Sequence, residues 1–319
     1  MDHSWIYDAI IFSHIMQHIL SAGQFSRSEL EYIMEQARVM DTLLLSWGSR
    51  IFENKILATL FYEPSTRTRL SFESSMHRLG GRVISETDVT FSSQAKGEIL
   101  ADTIRIVSWY ADIIAIRSKH VGDAKLASEY SSVPVINAGD GSWEHPTQAL
   151  LDLYTIWKDF PGIWHDAPIS VTFIGDLRYG RTVHSLSLLL RNFANVSLTF
   201  IAPEWLNLPE EYRRKGDTFS HTLDEETLIK SDVIYMTRVQ KERFSDAAEY
   251  ERVKNDFIFD EAIVRRMHEH AVLMHPLPRI HEITLWVDAL PQARYFDQAK
   301  NGVPVRMALI QYCLDSVTH

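Results

Sequence analysis

The sequence predicts an α/β protein of two domains, each a parallel sheet flanked by helices, with an active site in the cleft between them. Three observations carry that expectation. Short apolar runs alternate with stretches of helical apolar spacing along most of the chain. The alternation breaks near residues 159–166, at Pro161-Gly162, and then begins again, which marks a hinge between domains. Finally, Arg67, Arg117, His145, Arg181, Arg238 and His275 all fall at or just after the carboxyl ends of predicted strands, where open parallel sheets bind ligands.

Taken in order, Ser28 and Glu31 form a capping-box pattern that opens a helix with Leu30, Ile33, Met34, Ala37 and Met40 inward. Residues 55–61 read as a short buried strand that delivers the loop Glu63-Pro64-Ser65-Thr66-Arg67-Thr68-Arg69 at its carboxyl end. Pro64 fixes its own φ and pushes Glu63 towards extended backbone, so this segment arrives as a loop. Ser65, Thr66 and Thr68 are placed to accept bonds from the free N–H groups of a first helical turn. Phe72, Met76 and Leu79 follow at helical spacing until Gly80-Gly81 stops the helix.

Residues 82–85 are a second strand, 88–98 a polar loop, 99–110 a helix, and 113–116 a strand ending at Arg117. Residues 133–137 make a further strand. After a glycine-rich loop comes His145-Pro146-Thr147-Gln148, with Pro146 suited to the first position of a helix through Leu150, Leu151, Leu153 and Ile156. Beyond the break come strands at 169–174, 196–201, 233–236 and 271–275, a helix through Leu186, Leu189 and Leu190, and a final apolar helix near 303–314.

A chain of 319 residues, 45% of them hydrophobic, is large enough that its core is expected to split in two. Its formal net charge of -10 argues against a nucleic-acid or anionic-membrane surface, while leaving room for a local basic pocket. The one cysteine, Cys313, excludes a disulfide framework and a thiolate zinc site, and reads as a packed thiol. The run 9–20 lacks the basic start of a secretory signal, and nowhere do 18 apolar residues run together. A reducing, cytoplasmic setting is therefore expected.

Arg67, Lys96, Arg117, His145, Arg181 and Arg238 form a cationic set drawn from both halves of an acidic chain. In a closed cleft they would hold two or more multivalent anions, since each arginine offers a planar fork to carboxylate or phosphate. A helix start with free N–H groups, hydroxyls and a guanidinium suits a phosphate. Taken alone, S-T-R-T-R fits an ordinary capped helix with surface arginines equally well. Similarly, a lone histidine before proline is ordinarily a loop residue, but the company of Asp140, Thr147 and Gln148 favours a site at His145. His275 reads as a strand-end structural residue, and Arg69 as a brace through Glu63 or Glu73. Neither the G-x-G-x-x-G turn nor G-x-x-x-x-G-K-[ST] occurs, and no HExxH spacing is present.

Six segments in colinear order bear a closer resemblance. FYEPSTRTRLSFE (61–73), KGEILADT (96–103), AGDGSWEHPTQALL (138–151), GDLRYGRTVHSL (175–186), MTRVQKER (236–243) and HPLPR (275–279) are similar to the catalytic chains of the aspartate carbamoyltransferases. S-T-R-T-R with H-P-T-Q marks the aspartate/ornithine carbamoyltransferase superfamily. H-P-L-P-R and T-R-V-Q-K-E-R point to its aspartate branch, where ornithine enzymes typically carry cysteine at the position of Pro276. Two departures are Ala95, where many relatives have a second lysine before Lys96, and His281, where an acidic residue is frequent.

The resemblance implies transfer of a carbamoyl group from carbamoyl phosphate to the α-amine of L-aspartate, an early step of pyrimidine synthesis, with no cofactor and no metal. It implies that Ser65, Thr66, Arg67 and Thr68 bind the phosphate. Thr68, Arg117 and His145 would contact the carbamoyl oxygen, while Gln148 and the backbone at Pro276 and Leu277 would hold the amide nitrogen. Arg181, Arg238 and Gln240, with Lys96, would receive the aspartate carboxylates. Ser92 and Lys96 would enter from a neighbouring subunit of a homotrimer, and a regulatory chain is a possible further partner. The domains implied are 1–150 for carbamoyl phosphate, joined by a returning helix at 301–319, and 151–300 for aspartate. Rival expectations are another acceptor amine, such as ornithine, and a non-catalytic carbamoyl phosphate-binding paralogue.

Overall fold

Two parallel sheets organise the chain in a computed structural model that describes residues 16–46, 48–87, 96–239 and 257–317. The first sheet contains β1 (Ile56–Phe61), β2 (Arg82–Glu86), β3 (Ile113–Ser118) and β4 (Val135–Asp140), in the order β2-β1-β3-β4. The second contains β5 (Ile169–Ile174), β6 (Val196–Ile201), β7 (Thr218–Ser220), β8 (Val233–Met236) and β9 (Val272–Met274), in the order β7-β6-β5-β8-β9. All their pairings are parallel. The inner strands β1, β3 and β8 are largely apolar and almost wholly buried, broken only by Thr59 in β1 and by Arg117-Ser118 at the end of β3. The edge strands β2 and β7 are largely exposed.

Helix α1 (Arg27–Leu43) is capped by Ser26, two residues before the expected cap. Ser26 and Glu29 form the reciprocal box, with the Glu29 carboxylate accepting from the Ser26 N–H at 2.8 Å. Two overlapping S-x-x-E patterns compete here, and the earlier one caps. The inward face is nevertheless Leu30, Ile33, Met34, Ala37 and Met40, all buried. The remaining helices are α2 (Thr66–Arg78), α3 (Leu100–Tyr110), α4 (Asp123–Tyr130), α5 (Pro146–Asp159), α6 (Arg181–Leu190), α7 (Glu225–Lys230), α8 (Glu261–Val264) and α9 (Tyr295–Asp315).

The last helix starts eight residues earlier than its apolar pattern indicates. Gln298, Asn301 and Pro304 interrupt that pattern, yet all three are buried inside α9. The polar two are satisfied across the fold, Gln298 by Asp152 at 2.7 Å and Asn301 by Thr155 at 2.9 Å. Hydrogen-bonded burial therefore holds the first half of this helix, while apolar burial holds the second. α9 packs on α1, α2 and α5, and Ser75 of α2 donates to the Val303 carbonyl at 3.0 Å.

One apolar cluster runs from Leu30 and Ile33 of α1 through Leu150 and Leu153 of α5 to Leu186 of α6 and Phe173 of β5. It joins the helical layers of the two sheets, and each fully buried leucine contributes roughly 1.5–3 kcal/mol. The break at Pro161 is a 3-10 turn, Pro161–His165, where Arg27 donates to the Trp164 carbonyl at 2.9 Å. A buried acid links the halves again: Glu144 accepts from the Ala22 N–H at 2.6 Å and from the Ser185 hydroxyl of α6 at 3.3 Å. Ser185 in turn accepts the His145 N–H at 2.9 Å, so the entry to α5 is braced by a residue of the second sheet's first helix.

Candidate active site

β1 ends at Phe61, and the chain turns through Pro64 into α2 with Ser65 as N-cap, at φ -159° and ψ 103°. The expected hydroxyl capping does not occur, since Ser65 makes no side-chain cap bond. The first-turn N–H groups are thereby left to a ligand, at the positive end of a helix of 13 residues. Ser65, Thr66, Arg67 and Thr68 all line a cavity of about 510 Å³ between the two sheets. Arg69 instead braces the helix through Glu73 at 3.2 Å.

The centre of this cavity is cationic. Arg117 extends from the end of β3 and Arg181 from the first turn of α6, and both lie against Gly139 of β4. A Cβ at that glycine would sit 3.0 Å from Arg117 Nη1, and its φ of +126° also disfavours any side chain. Arg117 Nη1 donates to the Ala138 carbonyl at 3.3 Å and lies 3.5 Å from His145 Nε2. Burial, and then the Arg181 charge, push the Arg117 guanidinium down to about 10, so it stays charged at neutral pH. Glu63 answers both arginines: one carboxylate oxygen is 3.0 Å from Arg117 Nε and 3.2 Å from Arg181 Nη2.

His145 caps α5 with Pro146 at its first position, as the sequence predicts, and is only 4% exposed. Burial, then the charges of Arg117, Arg181 and Arg306, hold its imidazole well below the ordinary histidine range, so it is neutral. A neutral imidazole keeps one N–H to donate, which suits it to polarising a carbonyl and not to delivering a full positive charge. Gln148 follows three residues on and shares the cavity wall.

The second sheet contributes Arg238 after β8, and His275, Pro276 and Leu277 after β9. Leu277 has φ +53° and precedes a cis bond to Pro278. His275 organises this turn. Its Nδ1 accepts from the Leu277 N–H at 2.8 Å, which leaves Nε2 to donate to Glu282 at 2.9 Å. Burial lowers His275 and would raise Glu282, but the bond from His275 and those from the backbone bring the Glu282 carboxyl down to about 2. The pair is thus neutral histidine and ionised glutamate, a structural role that agrees with the sequence reading.

Eleven sequence-predicted residues line the one cavity: Ser65, Thr66, Arg67, Thr68, Arg117, His145, Gln148, Arg181, Arg238, Pro276 and Leu277. Lys96 is exposed and does not line it, while Ser92 and Gln240 lie outside the described residues. Among the lining residues assigned no site role from sequence are Glu63, read only as a partner for Arg69, together with Gln298 and Arg306. Arg306, on α9, is 3% exposed, and its guanidinium lies 5.1 Å over the Phe72 ring. Among the described residues no group of three or more His, Cys, Asp or Glu is placed to hold a metal ion, and no helix is long and apolar enough to cross a membrane.

The chemistry open to this cavity is that of two anions held side by side, with a neutral histidine and an arginine meeting where a carbonyl oxygen would lie. Comparisons with known proteins agree. Residues 17–158 match the aspartate/ornithine carbamoyltransferase carbamoyl-P binding domain, and residues 167–313 the Asp/Orn binding domain of the same family. The aspartate carbamoyltransferase catalytic subunit of Methanocaldococcus jannaschii is 49% identical over 306 residues, 94% of this chain and 98% of that one. That of Thermoplasma acidophilum is 54% identical over 276 residues, 85% and 89% of the two chains. A solved M. jannaschii catalytic subunit superposes with a TM-score of 0.85 over 94% of this chain and 98% of that chain. Trypanosoma cruzi aspartate transcarbamoylase, solved with carbamoyl aspartate and phosphate, gives 0.86 at 38% identity over 92% and 95%. This chain belongs to the aspartate/ornithine carbamoyltransferase family.

Proposed function

We propose that this protein is an aspartate carbamoyltransferase, forming N-carbamoyl-L-aspartate and phosphate from carbamoyl phosphate and L-aspartate. The observation that carries this reading is the convergence of Arg67, Arg117 and His145 from the first sheet with Arg181 and Arg238 from the second on one cavity. Phosphate sits at the start of α2, on the N–H groups that Ser65 does not cap, with Arg67 beside it. The two aspartate carboxylates meet Arg181 and Arg238, with Gln240 and Lys96 completing that end. An ornithine side chain would instead bring a second ammonium towards these guanidinium groups, which disfavours it.

The amine lone pair attacks the carbonyl carbon, and negative charge builds on its oxygen. Arg117, His145 and Thr68 converge on that oxygen, where fixed donors lower the barrier most. The C–O bond to phosphate then breaks, its electron pair leaves with the phosphate, and the phosphate takes the proton released by the amine. Holding both anions in one closed site offsets their repulsion and supplies the orientation the attack needs.

The domains are taken as 1–150 with the helix 301–319 for carbamoyl phosphate, and 151–300 for aspartate. A homotrimer brings Ser92 and Lys96 from the neighbouring chain. The exposed Ile84 on edge strand β2 and Leu70 on the neighbouring α2, together with Lys96 outside its own cavity, support that assembly. The buried lone thiol of Cys313 fits a reducing cytoplasm. Purified protein given carbamoyl phosphate with aspartate should release ureido product and phosphate in equal amounts. Turnover with ornithine and none with aspartate would overturn the reading.

A further inference from the structure

Behind the carbamoyl end of the cavity lies a carboxylate that no step above uses. Asp152 is one helical turn beyond Gln148 on α5 and has no exposed surface. Its Oδ1 accepts from Gln148 Nε2 at 2.8 Å and from Gln298 Nε2 at 2.7 Å, and its Oδ2 accepts from the Tyr235 hydroxyl at 2.7 Å. Gln298 completes the chain, since its Oε1 accepts the His275 N–H at 2.8 Å. Each NH2 keeps a second N–H, but turning that end to Asp152 fixes the orientation of the amide and sends its carbonyl oxygen the other way. Gln148 therefore presents an acceptor to the cavity, and Gln298 grips the start of the turn that carries Pro276 and Leu277.

We propose that Asp152 is a positioning residue for the amide nitrogen of the carbamoyl group. Through Gln148 and Gln298, this one carboxylate sets both walls that receive the substrate's NH2. The inference rests on the carbamoyl transfer proposed above. It links three elements distant in sequence: α5, the final helix, and the turn after β9 of the second sheet. A nitrogen that donates two hydrogen bonds needs acceptors on both sides, and an inverted Gln148 amide would oppose it with its own donors.

The network is strongest with Asp152 ionised, because a carboxylate accepts all three bonds with its charge behind them. A protonated carboxyl holds the glutamine NH2 groups more weakly and keeps only the Tyr235 hydroxyl as an acceptor for its O–H. The groups facing it are Gln148 from its own helix, Tyr235 from β8, and Gln298 and Arg306 from α9. Burial pushes its carboxyl up, partly countered by Gln298, Tyr235, Gln148 and the Arg306 charge, leaving it at about 7. Carbamoyl phosphate binding should accordingly weaken as pH falls through that value.

The test uses the full-length enzyme and two ligands that differ at one group: carbamoyl phosphate, and acetyl phosphate, which carries a methyl in place of the NH2. Asp152→Ala removes the acceptor that the NH2 groups of Gln148 and Gln298 share, which frees the Gln148 amide to invert. The KM for carbamoyl phosphate should rise about tenfold or more, while the inhibition constant of acetyl phosphate stays within about threefold of wild type. Equal losses for both ligands, or no loss for either, would overturn the proposal.

Should Asp152→Ala fail to fold, Tyr235→Phe decides the matter. It removes one donor to the ionised carboxylate and leaves both glutamines in place. The acid limb of kcat/KM for carbamoyl phosphate should then move to higher pH by about half a unit or more, and an unmoved limb overturns the proposal. A wild-type protein with no transfer activity at all would sink the reaction assignment itself, a separate outcome.

Discussion

Glu63 reaches Arg181 at 3.2 Å, from the loop after a strand of the first sheet to the first turn of a helix in the second. The same oxygen lies 3.0 Å from Arg117 Nε, so one acid stands between two partly buried guanidinium groups assigned to different substrates. Removing it leaves like charges facing each other with little solvent to screen them. Glu63→Ala should lower kcat/KM for aspartate by about ten- to a hundredfold, which is about 1.4–2.7 kcal/mol, with Glu63→Gln between it and wild type. Steady-state kinetics with each substrate varied in turn would check this, and unchanged kinetics in Glu63→Ala would refute it.

His145 is predicted to act as a neutral donor. Its pKa lies below the ordinary 6.5, so protonation occurs only as pH falls well under that value, and no rate change near pH 6.5 should trace to this residue. NMR of a ring-labelled enzyme should find the imidazole neutral at that pH. His145→Ala should cost about a hundredfold to a thousandfold in kcat, the range for losing one donor to a developing oxyanion. Added imidazole bases should give no rescue, and recovery with them would identify a general base instead.

The bond between His275 and Glu282 predicts an acid-sensitive turn. The folded pKa of Glu282 is depressed from 4.5 to about 2, so its contribution is fully present above pH 4.5 and is lost as pH falls through the lower value. The contribution is about 3 kcal/mol. Urea melts at about pH 6 and about pH 3 should show a smaller pH-dependent loss in Glu282→Gln than in wild type, with the variant less stable at the higher pH. Parallel losses in both proteins would dissociate the pair from acid unfolding.

The central strands were legible because their apolar side chains are covered, throughout β8 and along one face of β6. The runs 169–174, 196–201 and 233–236 match β5, β6 and β8 residue for residue. α4 escaped notice because its buried face is only Ala124 and Ala127, which carry little apolar signal. β7 is three residues at an exposed edge, and the start of α9 is hidden by polar residues whose partners lie far away in sequence. The site divides the same way. Arginines and a histidine clustered at strand ends announce anion binding by their chemistry alone. Asp152 and Gln298, 146 residues apart, look like ordinary helix surface residues until the fold buries them against each other. Glu63 reads as a loop residue before a proline, because nothing local shows that two arginines will converge on it.

The proposed trimer makes a prediction that needs no structure of the assembly. Lys96 is exposed on its own chain and outside that chain's cavity, whereas His145 is buried in it. If each site takes His145 from one chain and Lys96 from its neighbour, then Lys96→Ala and His145→Ala each disable every site in a uniform trimer. Mixed trimers would contain sites in which both residues are wild type, and sites in which neither is. Dissociating and reassociating an equal mixture of the two inactive variants should recover about a quarter of wild-type turnover, the fraction expected for random pairing across each interface. The recovered activity should rise with the time allowed for exchange and be absent when the variants are mixed without dissociation. Lack of recovery, with reassociated trimers seen by sedimentation, would place Lys96 and His145 in the same chain's site or remove Lys96 from the reaction.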